Sequence, residues 1–203
     1  LVLLVAAFLR FYALDHSSLW SDEGNTYALI QRPFDAIARD AAADIHPPGY
    51  YWLLKLWAGI FGSSAAAMRA FSALAGLLLV GVVYDIGRRL DRLTGNRAAI
   101  GFVAAWLAAL NPFQLYYSQE ARMYLLLALA GALLFWALLV WIEREAKGQA
   151  VTAPLVGFVL CGALGLWTHY SFPILLSATG LAYLWHWQTL LRADQQPTRA
   201  LTR

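Results

Sequence analysis

Apolar residues run through this chain in blocks as long as membrane helices, and the polar positions gather between them. Residues 1–14 (LVLLVAAFLRFYAL) are apolar except for Arg10. At 1.5 Å per residue they reach about 21 Å, short of the roughly 30 Å of bilayer hydrocarbon. The chain is therefore expected to begin inside its first membrane helix. A secretory signal peptide is the competing reading, and it lacks a basic leader and a small-residue cleavage site before Asp15. Residues 66–88 supply a full crossing, residues 98–110 a return, and residues 125–143, 151–167 and 172–191 three further segments. Six membrane helices are predicted, with a polar tail from Arg192.

The polar stretches have structure of their own. Within residues 15–62, one helical pattern runs from Asp22 to Gln31 with Ser21 as its cap, and another from Phe34 to Ala43 opens after Pro33. Both are expected to lie along the membrane surface. His46-Pro47-Pro48 forces extended backbone, and Pro48 suits the start of a helix over residues 49–61. That helix carries Tyr50, Tyr51, Trp52 and Trp57, residues that favour the headgroup layer, and it is too short to cross. Gly62-Ser63-Ser64 ends it. The connection RRLDRLTGNR sets Arg88, Arg89, Arg92 and Arg97 against Asp91, and Glu143, Arg144, Glu145 and Lys147 form a second charged turn. Short basic connections mark the cytoplasmic side, which leaves PFQLYYSQEARMY and Thr168-His169-Tyr170-Ser171 outside with the first loop.

Composition fixes the class. A chain of 203 residues that is 61% hydrophobic and 13% charged cannot hide its apolar surface in a water-soluble core. The expected fold is an all-α polytopic transmembrane bundle, a single domain over 1–203 with a long external loop. The net charge of +3 comes from basic residues clustered in short connections. They form no stripe with interleaved aromatics, which argues against a nucleic-acid partner. Cys161, the one cysteine, lies in an apolar run and can form no intramolecular disulfide.

Chemistry concentrates in residues 15–52, which hold six of the twelve carboxylates and two of the four histidines. Asp22 and Glu23 sit side by side, and on a helix start their side chains diverge by roughly 100°, so that one can face a substrate while the other turns to a cation. A charged first turn that complements the helix dipole is the alternative. Asp44 and His46 lead into the rigid proline pair. With Asp22 they offer oxygen and nitrogen donors for a divalent metal, or His46 alone can meet a phosphate; an ordinary surface pair is the competing reading. Arg122 falls at the start of the fourth long segment, where an ionisable group needs a partner. Its fork suits phosphate oxygens or a salt bridge with Glu120 or Asp22. Arg10, His169 and Tyr170 fit either a functional cavity or interfacial anchoring.

The order LRFYAL, SLWSDEG, DIHPPGYYWLLKLW, an arginine inside a long apolar span, an arginine-rich turn, NPFQLYYSQEARMYLL and THYS resembles the dolichyl-phosphate-mannose protein mannosyltransferase-like group of GT-C membrane glycosyltransferases. That group includes the protein O-mannosyltransferases and the bacterial aminoarabinose transferases, and the likeness covers residues 8 to about 175. Relatives of this kind are usually longer, so the chain is expected to be the N-terminal part of such an enzyme. The resemblance implies an integral protein of the bacterial inner membrane with its site facing the periplasm. It implies transfer of a sugar from a polyprenyl-phosphate donor to a lipid, glycan or protein acceptor, with inversion. Asp22 then matches the general base, with Glu23 completing the acid pair, and His46 and Arg122 match the donor-phosphate contacts. Glu120, Asp44, His169 and Tyr170 stand as further substrate or metal contacts. A carrier or flippase subunit for lipid-linked sugars would share the phosphate contacts but need no base.

Overall fold

The computed structural model describes residues 1–43, 46–94 and 99–194, and all regular structure in them is helical. In chain order the helices are α1 (Val2–Phe11), α2 (Ser21–Ile30), α3 (Phe34–Ala42), α4 (Gly49–Phe61), α5 (Ala65–Thr94), α6 (Ile100–Leu110), α7 (Pro112–Ser118), α8 (Tyr124–Ala146), α9 (Thr152–Thr168) and α10 (Phe172–Asp194). Two of them are long and apolar enough to cross a bilayer, over Ala65–Arg92 and Tyr124–Ala146. Helices α1, α6 and α9 are apolar but shorter. Leu4, Phe8, Ile60, Leu107, Ile174 and Trp185 stand exposed on different helices, as a surface solvated by lipid requires.

Helix α5 is the hub: α1, α4, α6, α7 and α8 all pack on it. Small residues bring α1, α5 and α6 together in a cluster of Ala6, Val80, Ala105, Ala108 and Ala109. A Cβ on Gly87 would stand 2.5 Å from the Cα of Gly101, so only glycine allows that crossing. Asn111-Pro112 stops α6 after 11 residues, because proline cannot continue the ladder. Fully buried Arg10 then donates to the freed carbonyls of Ala108 at 2.9 Å and Ala109 at 3.1 Å. This arginine clamps the α6 C-terminus from inside the bundle.

The structure moves several expected boundaries. Helix α5 continues to Thr94, so Arg88, Arg89 and Arg92 of the predicted connection sit on its last turns; Arg97 lies outside the described residues. The i,i+4 pair Asp85–Arg89 (2.8 Å) and the Arg89–Glu143 pair (2.7 Å) tie this extension to α8, and make helix the better state for a polar stretch. The segment after Asn111 is also helical (α7), since the Asn111 side chain accepts the Gln114 N–H at 3.0 Å and caps it. Ser21, expected as a cap, is instead the first residue of α2.

Candidate functional site

The first turn of α2 divides two adjacent carboxylates between two environments. Glu23 is wholly buried and takes a two-pronged contact from Arg69 of α5, Nε to Oε1 at 2.9 Å and Nη2 to Oε2 at 2.6 Å. It also accepts the Ala121 N–H at 2.8 Å and, more weakly, the Trp20 N–H at 3.4 Å that opens its own helix. Arg69 spends its remaining donors on the carbonyls of Leu14, Ser17 and Ser18 at 2.8 to 3.1 Å. Burial pushes the Glu23 carboxyl up, but Arg69 and the Ala121 N–H pull harder, and the net is a carboxyl below the usual range. One ion pair thus joins α2, α5, the 14–18 connection and the turn before α8.

Asp22, one residue earlier, faces elsewhere. Its side chain is 40% exposed and its Oδ2 stands 3.5 Å from Arg122 Nη2. Arg122 is nearly buried, and a second contact of 3.5 Å links its Nη1 to the Asp22 carbonyl. Its Nε is buried and has no hydrogen-bond partner among the described residues. The guanidinium lies over the Tyr124 ring at 5.9 Å, and Ser72 of α5 fixes its backbone by donating to the Arg122 carbonyl at 3.2 Å. The geometry leaves a half-open carboxylate beside a cation with donor capacity unspent.

Glu120 is nearly buried and helps to line a polar pocket of about 250 Å³ with Glu23, Arg69, Trp20 and Tyr116. Asp22 and Arg122 are not among its lining residues. Burial raises the Glu120 carboxyl above the usual range, and the charges of Glu23 and Asp22 add to this against the pull of Tyr116 and Arg122. So Asp22, Glu23, Glu120 and Arg122, spread over a hundred residues of sequence, converge at one end of the bundle.

His46 belongs to a neighbouring group. Its ring meets that of His169 edge-on, with centroids 5.4 Å apart. His169 Nδ1 accepts the Ser171 N–H at 3.1 Å, which fixes its ring. The pairing follows from the close approach of α4 to α9. A Cβ at Gly49 would collide with the Trp167 backbone, and Trp52 stacks on Trp167 at 5.3 Å. Tyr50 and Tyr51, just after His46, share a buried cluster with Ala121 and Met123, which flank Arg122. Tyr170 is exposed beside His169. Asp44 lies outside the described residues. Among the described residues no three His, Cys, Asp or Glu side chains come together in a metal-binding group. The expected metal set of Asp22, Asp44 and His46 is thus described at only two of its three positions.

Arg69 is the arginine inside the long apolar span, and its position alone assigns it no role. The signal was present, because a charge there is costly without a partner, but its partner is 46 residues away. Arg10 fits a functional cavity or interfacial anchoring by sequence alone, and its carbonyl partners lie 98 and 99 residues away.

No curated protein and no solved structure matches the chain. A family model described as dolichyl-phosphate-mannose-protein mannosyltransferase matches residues 45–195, which include α4 to α10, His46, Glu120, Arg122 and His169. Asp22 and Glu23 lie before the matched stretch. That match takes in well over half of the 203 residues, and with the apolar helices it shows that the chain belongs to this family of GT-C membrane glycosyltransferases.

Proposed function

We propose that this chain carries the reaction site of a glycosyltransferase that moves a sugar from a polyprenyl-phosphate donor to a hydroxyl acceptor at the outer face of the membrane, with inversion. The observation that supports it most is the pairing of Asp22 with Arg122. The carboxylate stands 3.5 Å from the guanidinium, and the buried Arg122 Nε is a donor that still lacks an acceptor among the described residues. An anionic ligand oxygen would supply one.

In this reading Asp22 takes the proton of the acceptor hydroxyl as its oxygen attacks the anomeric carbon. The bond from that carbon to the phosphate oxygen breaks, and its electron pair leaves with the phosphate. Attack from the face opposite the leaving group inverts the anomeric centre. Arg122 holds the charge that builds on the phosphate, a task for a fixed cation more than for an acid, and the His46 ring adds a second contact. Glu23, whose acceptor positions are taken by Arg69 and Ala121, acts by fixing α2 and hence the direction of Asp22. Glu120, His169 and Tyr170 line the approach to the acceptor. The membrane arrangement we infer has α1, α5, α6, α8, α9 and α10 as its six segments and α2 to α4 at the outer surface. The family description points to mannose among the sugars to be tried first.

The test is the product. Proteoliposomes holding the protein are given a polyprenyl phosphate labelled in its sugar, with an extract of cell-envelope glycans and proteins as acceptor. Loss of label from the lipid and its appearance on an acceptor supports transfer. Label that stays on the lipid and only changes leaflet supports a carrier and removes this reading.

A further inference from the structure

The two long helices finish at the end of the bundle away from Asp22. Helix α5 begins at Ala65, beside the Arg69–Glu23 pair, and its 30 residues carry the chain roughly 45 Å to its other end. Helix α8 runs from Tyr124, next to Arg122, to Ala146. Their far ends enclose a pocket of about 230 Å³ lined by Arg92, Glu143, Ala146 and Lys147.

The pocket's charge follows from the pairing around it. Asp85 is engaged by Arg89 at 2.8 Å, by Arg88 at 3.4 Å and by the Trp136 indole N–H at 2.7 Å. Glu143 is engaged by the other side of Arg89 at 2.7 Å. Asp91 accepts the N–H groups of Ile100 and Gly101 at 3.1 and 3.3 Å and so caps the start of α6. Glu145 faces the Tyr183 hydroxyl at 3.4 Å. Asp85, Asp91, Glu143 and Glu145 therefore each have another partner, and no described ion pair joins one of them to Arg92 or Lys147. Arg92 Nε turns back to the Arg88 carbonyl at 3.3 Å, and Lys147 is exposed.

Local structure holds Lys147 there. Gly148 takes φ +62°, the left-handed conformation that closes a helix C-terminus, with Gly148 N–H to the Glu145 carbonyl at 3.0 Å and Gln149 N–H to the Arg144 carbonyl at 2.9 Å. The turn leaves Lys147 as the cap that follows Ala146, the last helical residue. Arg92 and Lys147 line the pocket and no described ion pair holds either of them. Both cations stand exposed where two helices long and apolar enough to cross a membrane come to their ends.

We propose that this pocket binds the headgroup phosphate of an anionic phospholipid, with the Arg92 fork on the phosphate oxygens and Lys147 as the second cation. Glu143, held by Arg89, forms the wall and limits entry to one phosphate. The site is separate from the sugar-transfer chemistry at the other end and does not rest on it.

The experiment is native mass spectrometry of the protein released from nanodiscs that contain equal phosphatidylglycerol and phosphatidylcholine. Wild type is expected to retain phosphatidylglycerol selectively. Arg92→Gln and Lys147→Gln should each cut that selectivity about fivefold, and the double variant about thirtyfold, at about the energy of one basic side chain near an anionic surface per residue. Arg88→Gln removes the same charge from a residue already paired with Asp85 and should leave selectivity within about twofold of wild type. All substituted positions lie at the surface, and unchanged thermal unfolding checks that folding is intact. Equal retention of the two lipids by wild type, or a loss in Arg88→Gln as large as in Arg92→Gln, overturns the pocket and leaves only general surface charge. Inorganic phosphate at matched ionic strength should not displace the lipid; displacement would assign the pocket to free phosphate and overturn the headgroup as its ligand.

Discussion

Two carboxylate–arginine pairs stand one residue apart on the same helical turn, and they are built for opposite ends. Glu23 and Arg69 are sealed from solvent, meet at 2.6 and 2.9 Å and spend nearly every donor and acceptor on each other or on backbone. Asp22 and Arg122 meet at 3.5 Å, with the acid 40% exposed and one arginine N–H unspent. The first pair is a fastener. The second has capacity left over, and capacity left over is what a ligand uses.

Removing the fastener should have the largest effect. Glu23→Gln leaves Arg69 charged, buried and unpaired, a situation that costs about 3 to 5 kcal/mol. The variant is expected to unfold at much lower temperature in detergent and to lose activity with its fold. A Glu23→Gln protein with wild-type melting would mean the pair is not a fastener at all. Arg122→Gln should do the reverse, with melting close to wild type and polyprenyl-phosphate affinity lower by about ten- to a hundredfold, as expected for charge-assisted bonds to a phosphate. Arg122→Lys should recover part of this, because a lysine keeps the charge but not the fork.

The acids also differ in how they respond to pH. The Glu23 carboxyl is depressed in the folded state, so its stabilisation is full above the ordinary glutamate range and is lost as pH falls through the depressed value. The Glu120 carboxyl is raised, so it favours the fold below the ordinary range, and that contribution fades as pH rises through the raised value. Glu120→Gln is therefore expected to raise the melting temperature at neutral pH, by less than Glu23→Gln lowers it, and to have no such effect under acid conditions. Melting curves across pH for both variants check the opposite signs.

The architecture was largely readable because periodicity and block length are local properties. Helix α4 falls on the predicted residues 49–61, and α8, α9 and α10 begin within one residue of expectation. What the pattern could not give was cross-chain neutralisation. The arginine-rich stretch reads as a loop until Glu143 is brought to Arg89, and α7 reads as a loop until the Asn111 cap forms. At the candidate site the residue types at Asp22, Glu23, His46 and Arg122 were legible, but not their division of labour. Which of two neighbouring acids is buried depends on Arg69 and the Ala121 N–H, 46 and 98 residues away. Sequence spacing carries no trace of either contact.

The account turns on Asp22 being the base that takes the acceptor proton, and single-turnover transfer with Asp22→Asn tests this most directly. The variant keeps the shape of the side chain and cannot take the proton. Measured in proteoliposomes beside wild type, it should bind the polyprenyl-phosphate donor with similar affinity, melt at a similar temperature and transfer sugar about a hundred- to ten-thousandfold more slowly. Transfer at the wild-type rate by a folded Asp22→Asn protein would contradict it.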